Sequence, residues 1–238
     1  MSRVLTLVKK ELNSYFISPL GYVVISVFLV ISGWLFIQTF FLSAQASMRE
    51  FFDLLPVIFM FFLPASTMAA WSEEKRSGTI EVLTTFPVKS SELVLAKFVS
   101  SFIFLAVMVL LTVAIPMMVS SLGTPDKGVI FAGYIGSLLL GASYIAVGLW
   151  VSSITKNQIV SFILAVVIIF GFYIVGNSFI IGSLPIAIAS VAKFLSFSAH
   201  FNSILRGVIS LGDVVYYLSV IAFFLFLNAR VISLRNWK

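Results

Sequence analysis

Few residues in this sequence have the types and spacing for chemistry. His200 is the sole histidine and cysteine is absent. A multi-histidine or Cys/His metal site therefore cannot form within one chain, and no thiol nucleophile or disulfide framework exists. The lone histidine is read as structural. No G-x-x-x-x-G-K-[ST] phosphate loop occurs, so the chain lacks that means of cradling a nucleotide. What stands out is a polar stretch in an apolar background, WSEEKRSGTIEVLTTFPVKSSELVLAKF, from Trp71 to Phe98. Its 28 residues hold Glu73, Glu74, Lys75, Arg76, Glu81, Lys89, Glu92 and Lys97, in a chain with only 15 basic and 9 acidic residues. Side chains of this kind serve recognition by charge pairing, or simply solvate a loop.

The elements that must position this stretch are membrane helices. The chain has 238 residues, 61% of them hydrophobic and 25 of them Phe, with a mean hydropathy of +1.14. A soluble domain of that size needs more charge than this to stay solvated. Crossing the bilayer takes ~20 mainly apolar residues. Six runs approach that length: Leu20–Ser43, Leu54–Trp71, Phe98–Ser121, Val129–Val151, Ile159–Ile181 and Val214–Ile232. The first run is longer than the ~7–15 apolar residues of a signal peptide and is read as an uncleaved span. Leu184–Leu195, interrupted by Lys193, is too short to cross and suits a re-entrant or interfacial helix. Ser198–Leu211 forms a second short segment, ended by Gly212 and Asp213. The expectation is an all-α polytopic membrane protein, one domain over residues 1–238.

Of the 15 Lys and Arg residues, eleven fall on the side of the amino terminus and four, Arg49, Lys127, Lys193 and Arg206, on the other. The positive-inside bias then puts both termini and the polar stretch in the cytoplasm. It also accounts for the net charge of +6 without nucleic acid. The deep parts of the runs contain no Asp, Glu, Lys, Arg or His, which argues against a self-sufficient proton-driven transporter or an ATPase-independent carrier and leaves Na⁺ coupling through carbonyls open. Gln38, Asn177 and Asn228 suit interhelical hydrogen bonds or substrate contact. Gly133, Ser137 and Gly141 recur every four residues and suit close helix packing, within a subunit or between subunits. Pro56, Pro64 and Pro116 are candidate kinks or ordinary tolerated prolines.

Two short helices flank the spans. In VLTLVKKELNSYF, Val4, Leu5, Val8, Leu12, Tyr15 and Phe16 recur at helical spacing while Arg3, Lys9, Lys10, Glu11 and Asn13 face away. Such an amphipathic helix lies in the headgroup layer, and Ser18-Pro19 turns the chain into the first span. In the polar stretch, Ser77-Gly78-Thr79 signals a helix start, with Glu81 as a weak capping box. TIEVLTTF places Thr79, Val82, Leu83 and Phe86 near one face, and Pro87 stops it. Ser90 or Ser91 caps the next helix, with Glu92 in its first turn. A two-turn helix needs something to pack against: lipid, the chain's own amino-terminal helix, or another protein.

The run EEKRSGTIEVLTTFPVKSSELVLAK resembles the second-loop segment of ABC-2 type transporter permeases, matching at Glu74, Gly78, Thr79, Glu81, Leu83, Pro87 and Lys97. The carboxyl-terminal stretch AHFNSILRGVISLGDVVYYLSVIAFFLFLNARVISLRNW resembles the gliding-motility-associated permeases in particular. The resemblance implies an amino-terminal elbow helix, six spans, a coupling helix between spans two and three, and short helices between spans five and six. It implies a permease of the bacterial inner membrane that is not itself an enzyme and binds no cofactor, driven by two copies of a separate cytoplasmic ATPase that use ATP and Mg. A second permease chain, identical or homologous, completes the assembly. The residues implied to dock the ATPase are Glu74, Arg76, Gly78, Thr79, Glu81 and Pro87, with Val82, Leu83 and Phe86 as the apolar anchor. A mechanical subunit that passes ATPase-driven motion to a periplasmic or accessory membrane partner, without moving substrate, needs the same loop.

Overall fold

The structure, a computed structural model, describes residues 2–43, 47–79, 81, 89–183 and 185–235. Twelve helices and no strand make up these residues. They are α1 (Ser2–Ile17), α2 (Pro19–Ser43), α3 (Arg49–Thr67), α4 (Ala69–Arg76), α5 (Ser90–Leu111), α6 (Ala114–Leu122), α7 (Lys127–Ile154), α8 (Gln158–Ile174), α9 (Ser178–Ser183), α10 (Ile186–Leu195), α11 (Phe197–Ile204) and α12 (Leu211–Arg235). Five stretches are long and apolar enough to cross a membrane: Gly21–Leu42, Arg49–Arg76, Ser90–Leu122, Lys127–Ile154 and Leu211–Leu234. The predicted fifth run differs. Its helix, α8, ends at Ile174, and Asn177 then caps α9 by accepting from the Phe179 amide at 3.0 Å. That asparagine spends its side chain locally, as Asn does outside helices, and does not bridge spans.

At the centre stands α7, most of whose apolar length is buried, whereas the peripheral α2 is mostly exposed. It packs on α3, α5, α8, α11 and α12. Hydrocarbon solvates apolar side chains as well as other helices do, so close packing rather than a hydrophobic drive holds such helices together. The small residues of α7 supply that closeness within the chain. A Cβ at Gly133 would lie 2.4 Å from Phe52, one at Gly141 2.5 Å from Leu105, and one at Gly148 2.2 Å from Thr67 Oγ1.

The breaks have identifiable causes. Pro116 cannot donate to the Thr112 carbonyl, which accepts from the Ile115 amide instead at 2.9 Å, and the rod divides into α5 and α6 there. The α3–α4 break falls at Met68. Ser152 of α7 inserts its hydroxyl into this gap, donating to the Met68 carbonyl at 2.9 Å and accepting from the Trp71 and Ser72 amides at 3.0 and 3.2 Å. A hydroxyl in the backbone ladder is a recognised source of such breaks.

Several boundaries expected from the sequence move. The second span continues as helix to Arg76, so Glu73, Glu74, Lys75 and Arg76 belong to α4 rather than to a loop. Gly78, with φ +74°, turns the chain away just after α4, the left-handed conformation that favours glycine beyond a helix end. The third span begins at Ser90, where the Lys89 backbone N–H donates to Glu92 Oε2 at 3.0 Å; Lys89, not a serine, is the cap residue. Gly212 and Asp213 lie in the first turn of α12 rather than ending the segment before it. The turn after α11 is made by Gly207, at φ +87°.

Candidate functional site

The charged stretch does not hang free of the helices. Its first part, α4, is held from several sides. Lys97, two turns into α5, donates to Glu74 Oε1 at 2.7 Å and to Glu11 Oε2 of α1 at 3.2 Å. Its ammonium lies 4.9 Å from the centre of the Trp71 ring, a cation–π distance. The Lys97 side chain is only 5% exposed, against 17% for Glu74 and 19% for Glu11. A cation so removed from water persists because two carboxylates and a ring face replace its hydration. Glu74 Oε2 and Trp71 Nε1 are buried with no hydrogen-bond partner among the described residues. A cavity of about 250 Å³ opens beside Glu74, lined also by Glu11, Tyr15, Ser66, Glu73 and Lys97 among others.

The remaining side chains of α4 reach α7 and α8. Lys75 donates to the Ser153 carbonyl, one of the last carbonyls of α7, where a helix carries partial negative charge. Gln158, at the start of α8, donates to Glu73 Oε2, while Glu73 Oε1 accepts from Arg76 at 3.0 Å. Trp71 is fully buried and packs with Leu93, Val94 and Ile232, which joins α4 to α5 and α12.

The amino-terminal helix packs along α5. Tyr15 donates to the Ser66 carbonyl at 3.2 Å and lies 3.0 Å from Ser101 Oγ, and its ring stacks on Phe104 at 4.8 Å. Burial pushes its phenol up to about 12, with the Ser101 bond opposing and the nearby Glu11 charge adding. The predicted apolar face needs correction at two positions. Leu5 is exposed, whereas Glu11 turns inward because Lys97 gives its carboxylate a partner.

Of the residues expected to dock a partner, Glu74 faces the helices, while Arg76, Gly78, Thr79 and Glu81 are exposed. Thr79 Oγ1 is 3.0 Å from Ser77 Oγ, and the Glu81 amide donates to the Gly78 carbonyl at 3.2 Å. Val82, Leu83, Phe86 and Pro87 lie outside the described residues. Ser152, Gln158 and Tyr15 were not singled out as site residues from the sequence. A serine or glutamine near a helix end is too common to mark a junction, and only the tertiary placement of α4 shows what these residues hold. Among the described residues neither amide makes the expected interhelical hydrogen bond: Gln38 is exposed, and Asn228 is buried with both its amide nitrogen and oxygen unpartnered.

At the other end of the bundle, Arg49 of α3 donates to the Leu205 carbonyl through Nε and Nη2 at 3.3 and 3.0 Å. His200 Nδ1 lies 2.7 Å from Asp213 Oδ1, and Nε2 lies 3.0 Å from the Phe194 carbonyl. The ring stacks on Tyr216 at 3.9 Å, so this histidine is fully engaged in joining α10, α11 and α12.

A family model described as ABC-2 family transporter protein matches residues 11–231. No curated protein matches the chain.

Proposed function

Because this chain belongs to the ABC-2 family of transporter proteins, we propose that ATP hydrolysis on a separate subunit drives its membrane helices through α4. Membership makes the chain a permease component of an ABC transporter, a multi-pass membrane protein that works with an ABC ATPase. In our reading the ATPase, present in two copies and carrying ATP and Mg, docks on the segment that begins at Gly78. Arg76, Thr79 and Glu81 supply charge and hydrogen bonds, and Val82, Leu83 and Phe86 supply the anchor before Pro87.

The observation that carries this reading is the anchoring of α4 at four places. Glu73 meets Gln158, Glu74 meets Lys97, Lys75 meets the end of α7, and the Trp71 and Ser72 amides meet Ser152. A push on the segment after α4 therefore reaches α5, α7 and α8 together. Glu74 accordingly takes the role of an inner brace, with the docking surface formed by its exposed neighbours.

The six-span topology fits the same reading. The start of α8 lies beside Glu73, and near its other end the Tyr173 carbonyl accepts from Ser198 in α11 at 2.9 Å. Its 17 residues thus run between the two ends of the bundle, as a sixth crossing. Both termini and α4 are cytoplasmic, α1 is the elbow at the headgroup layer, and α9 to α11 form the short outer helices. The assembly is a pair of permease chains in a bacterial inner membrane. The family match supports the permease role and does not extend to the gliding-motility subgroup.

The test is co-purification of the chain with its ATPase, for wild type and for Glu81→Ala and Phe86→Asp. Loss of the complex and of stimulated ATP hydrolysis is expected; retention of both in the two variants removes the docking assignment. Reconstitution then separates export from mechanical work, since only the former gives ATP-dependent flux.

A further inference from the structure

Along α7, Gly128 lies beside Gly207, the turn residue after α11, and Ser153 meets Lys75. These contacts are about 38 Å apart at 1.5 Å per residue. The far end of the bundle, distant from α4, contains a cavity of about 410 Å³ between α10, α11 and the first turn of α12. Lys193, Arg206, His200, Ser203, Ser190 and Asp213 line it. The charges there are not balanced by one another. Asp213 is committed to His200 at 2.7 Å and to the Ser210 hydroxyl at 2.7 Å. Arg49, a third cation at this end, is committed to the Leu205 carbonyl. Lys193 and Arg206 are exposed and have neither ion pair nor side-chain hydrogen bond among the described residues. They approach one hollow from different elements, the last turn of α10 and the turn after α11. Like charges around a hollow of this size are most stable with an anion between them.

The surroundings select the kind of anion. The helix that carries Lys193 is apolar and uncovered: Ile186 is 91% exposed and Phe194, which itself lines the cavity, is 64% exposed. Leu211 and Val215, at the start of α12, are exposed as well. An apolar rim continuous with a cationic hollow matches a molecule with a phosphate head and hydrocarbon tails. Basic pockets between membrane helices on the cytoplasmic side bind such headgroups by the same charge pairing, and a volume of this order suits a small ligand group. We infer that this cavity binds the phosphate headgroup of an anionic membrane lipid, with Lys193 and Arg206 as its charge partners. The inference does not depend on where the ATPase docks.

Native mass spectrometry of the purified full chain, with phosphatidylglycerol or phosphatidylcholine added in detergent, tests it. Wild type should retain phosphatidylglycerol about thirtyfold better than phosphatidylcholine, the scale expected for two cations near a headgroup at about 1 kcal/mol each. The double variant Lys193→Gln/Arg206→Gln should lose that preference and elute as wild type does on size exclusion. Lys127→Gln, which removes an exposed cation outside the cavity, should keep the preference. Unchanged selectivity in the double variant overturns the site. Equal loss in Lys127→Gln overturns it in favour of general surface charge. Displacement of the lipid by millimolar glycerol 3-phosphate overturns the lipid assignment, because the head alone would then suffice.

Discussion

Lys97 Nζ stands 2.7 Å from Glu74 Oε1, joining the last turn of α4 to α5 from inside the protein. Glu11 of α1 completes a three-way contact around the same ammonium. The mean worth of a surface ion pair is small, but here the cation is buried, and removing it leaves Glu74 without its ion-pair partner and Glu11 with only the exposed Lys10 at 3.9 Å.

Lys97→Met should therefore lower stability by on the order of 3 kcal/mol, read as a drop in the thermal unfolding midpoint in detergent. Adding Glu74→Gln to the same chain should recover part of the loss, since one orphaned charge is then gone. Equal midpoints for wild type and Lys97→Met would show that the contact carries no structural load.

Ser152→Ala removes the hydroxyl that sits in the α3–α4 break. The Trp71 and Ser72 amides then lose their partner in a buried setting, while the Met68 carbonyl keeps the Ser72 hydroxyl, a cost of about 1–3 kcal/mol. Hydrogen exchange at the two amides should quicken about tenfold. An unchanged exchange rate would mean that the helix closes its own ladder without the serine.

Gly148→Ala places a methyl 2.2 Å from Thr67 Oγ1. Overpacking of this kind costs about 1–3 kcal/mol. Thr67→Ala in the same chain should relieve most of it, because the hydroxyl that is struck bonds only within its own helix, to Leu63 and Pro64. If the second substitution gives no relief, the contact between α7 and α3 is looser than described.

Tyr15 makes a prediction in alkali. Its phenol is held up at about 12 by burial, from an ordinary value of 10.0. Below pH ~10 the phenol is neutral in both folded and unfolded chains, and its contribution to stability is fully present. Between these values the unfolded chain ionises first, so stability falls as pH rises and the contribution is lost through about pH 12. Tyr15→Phe should flatten that part of the alkaline unfolding curve relative to wild type; superimposable curves would reject the assignment.

Much of the architecture was legible because apolar run length is a direct consequence of bilayer thickness. The runs that became α2, α3, α5, α7 and α12 needed no tertiary information. The small-residue spacing of α7 likewise announced close packing. The junction around α4 was less legible. Glu74 and Glu11 both read as outward-facing because polar residues on a membrane protein usually meet water, and only Lys97, 86 residues from Glu11 in sequence, turns them inward. The extent of α8 was misjudged because hydropathy continues smoothly past Ile174, while Gly176 and Asn177 end the helix by local backbone chemistry.

The brevity of α8 has a further result. At 17 residues it measures about 26 Å, short of the ~30 Å hydrocarbon layer, whereas its neighbour α7 has 28 residues and measures about 42 Å. The outward face of α8, with Ile159, Ile163, Val167 and Phe170, is exposed. With α8 as the proposed sixth crossing, lipids meeting that face compress to cover it, a hydrophobic mismatch on that flank of the molecule. In the six-span topology proposed above, that flank favours shorter acyl chains than the rest of the molecule does.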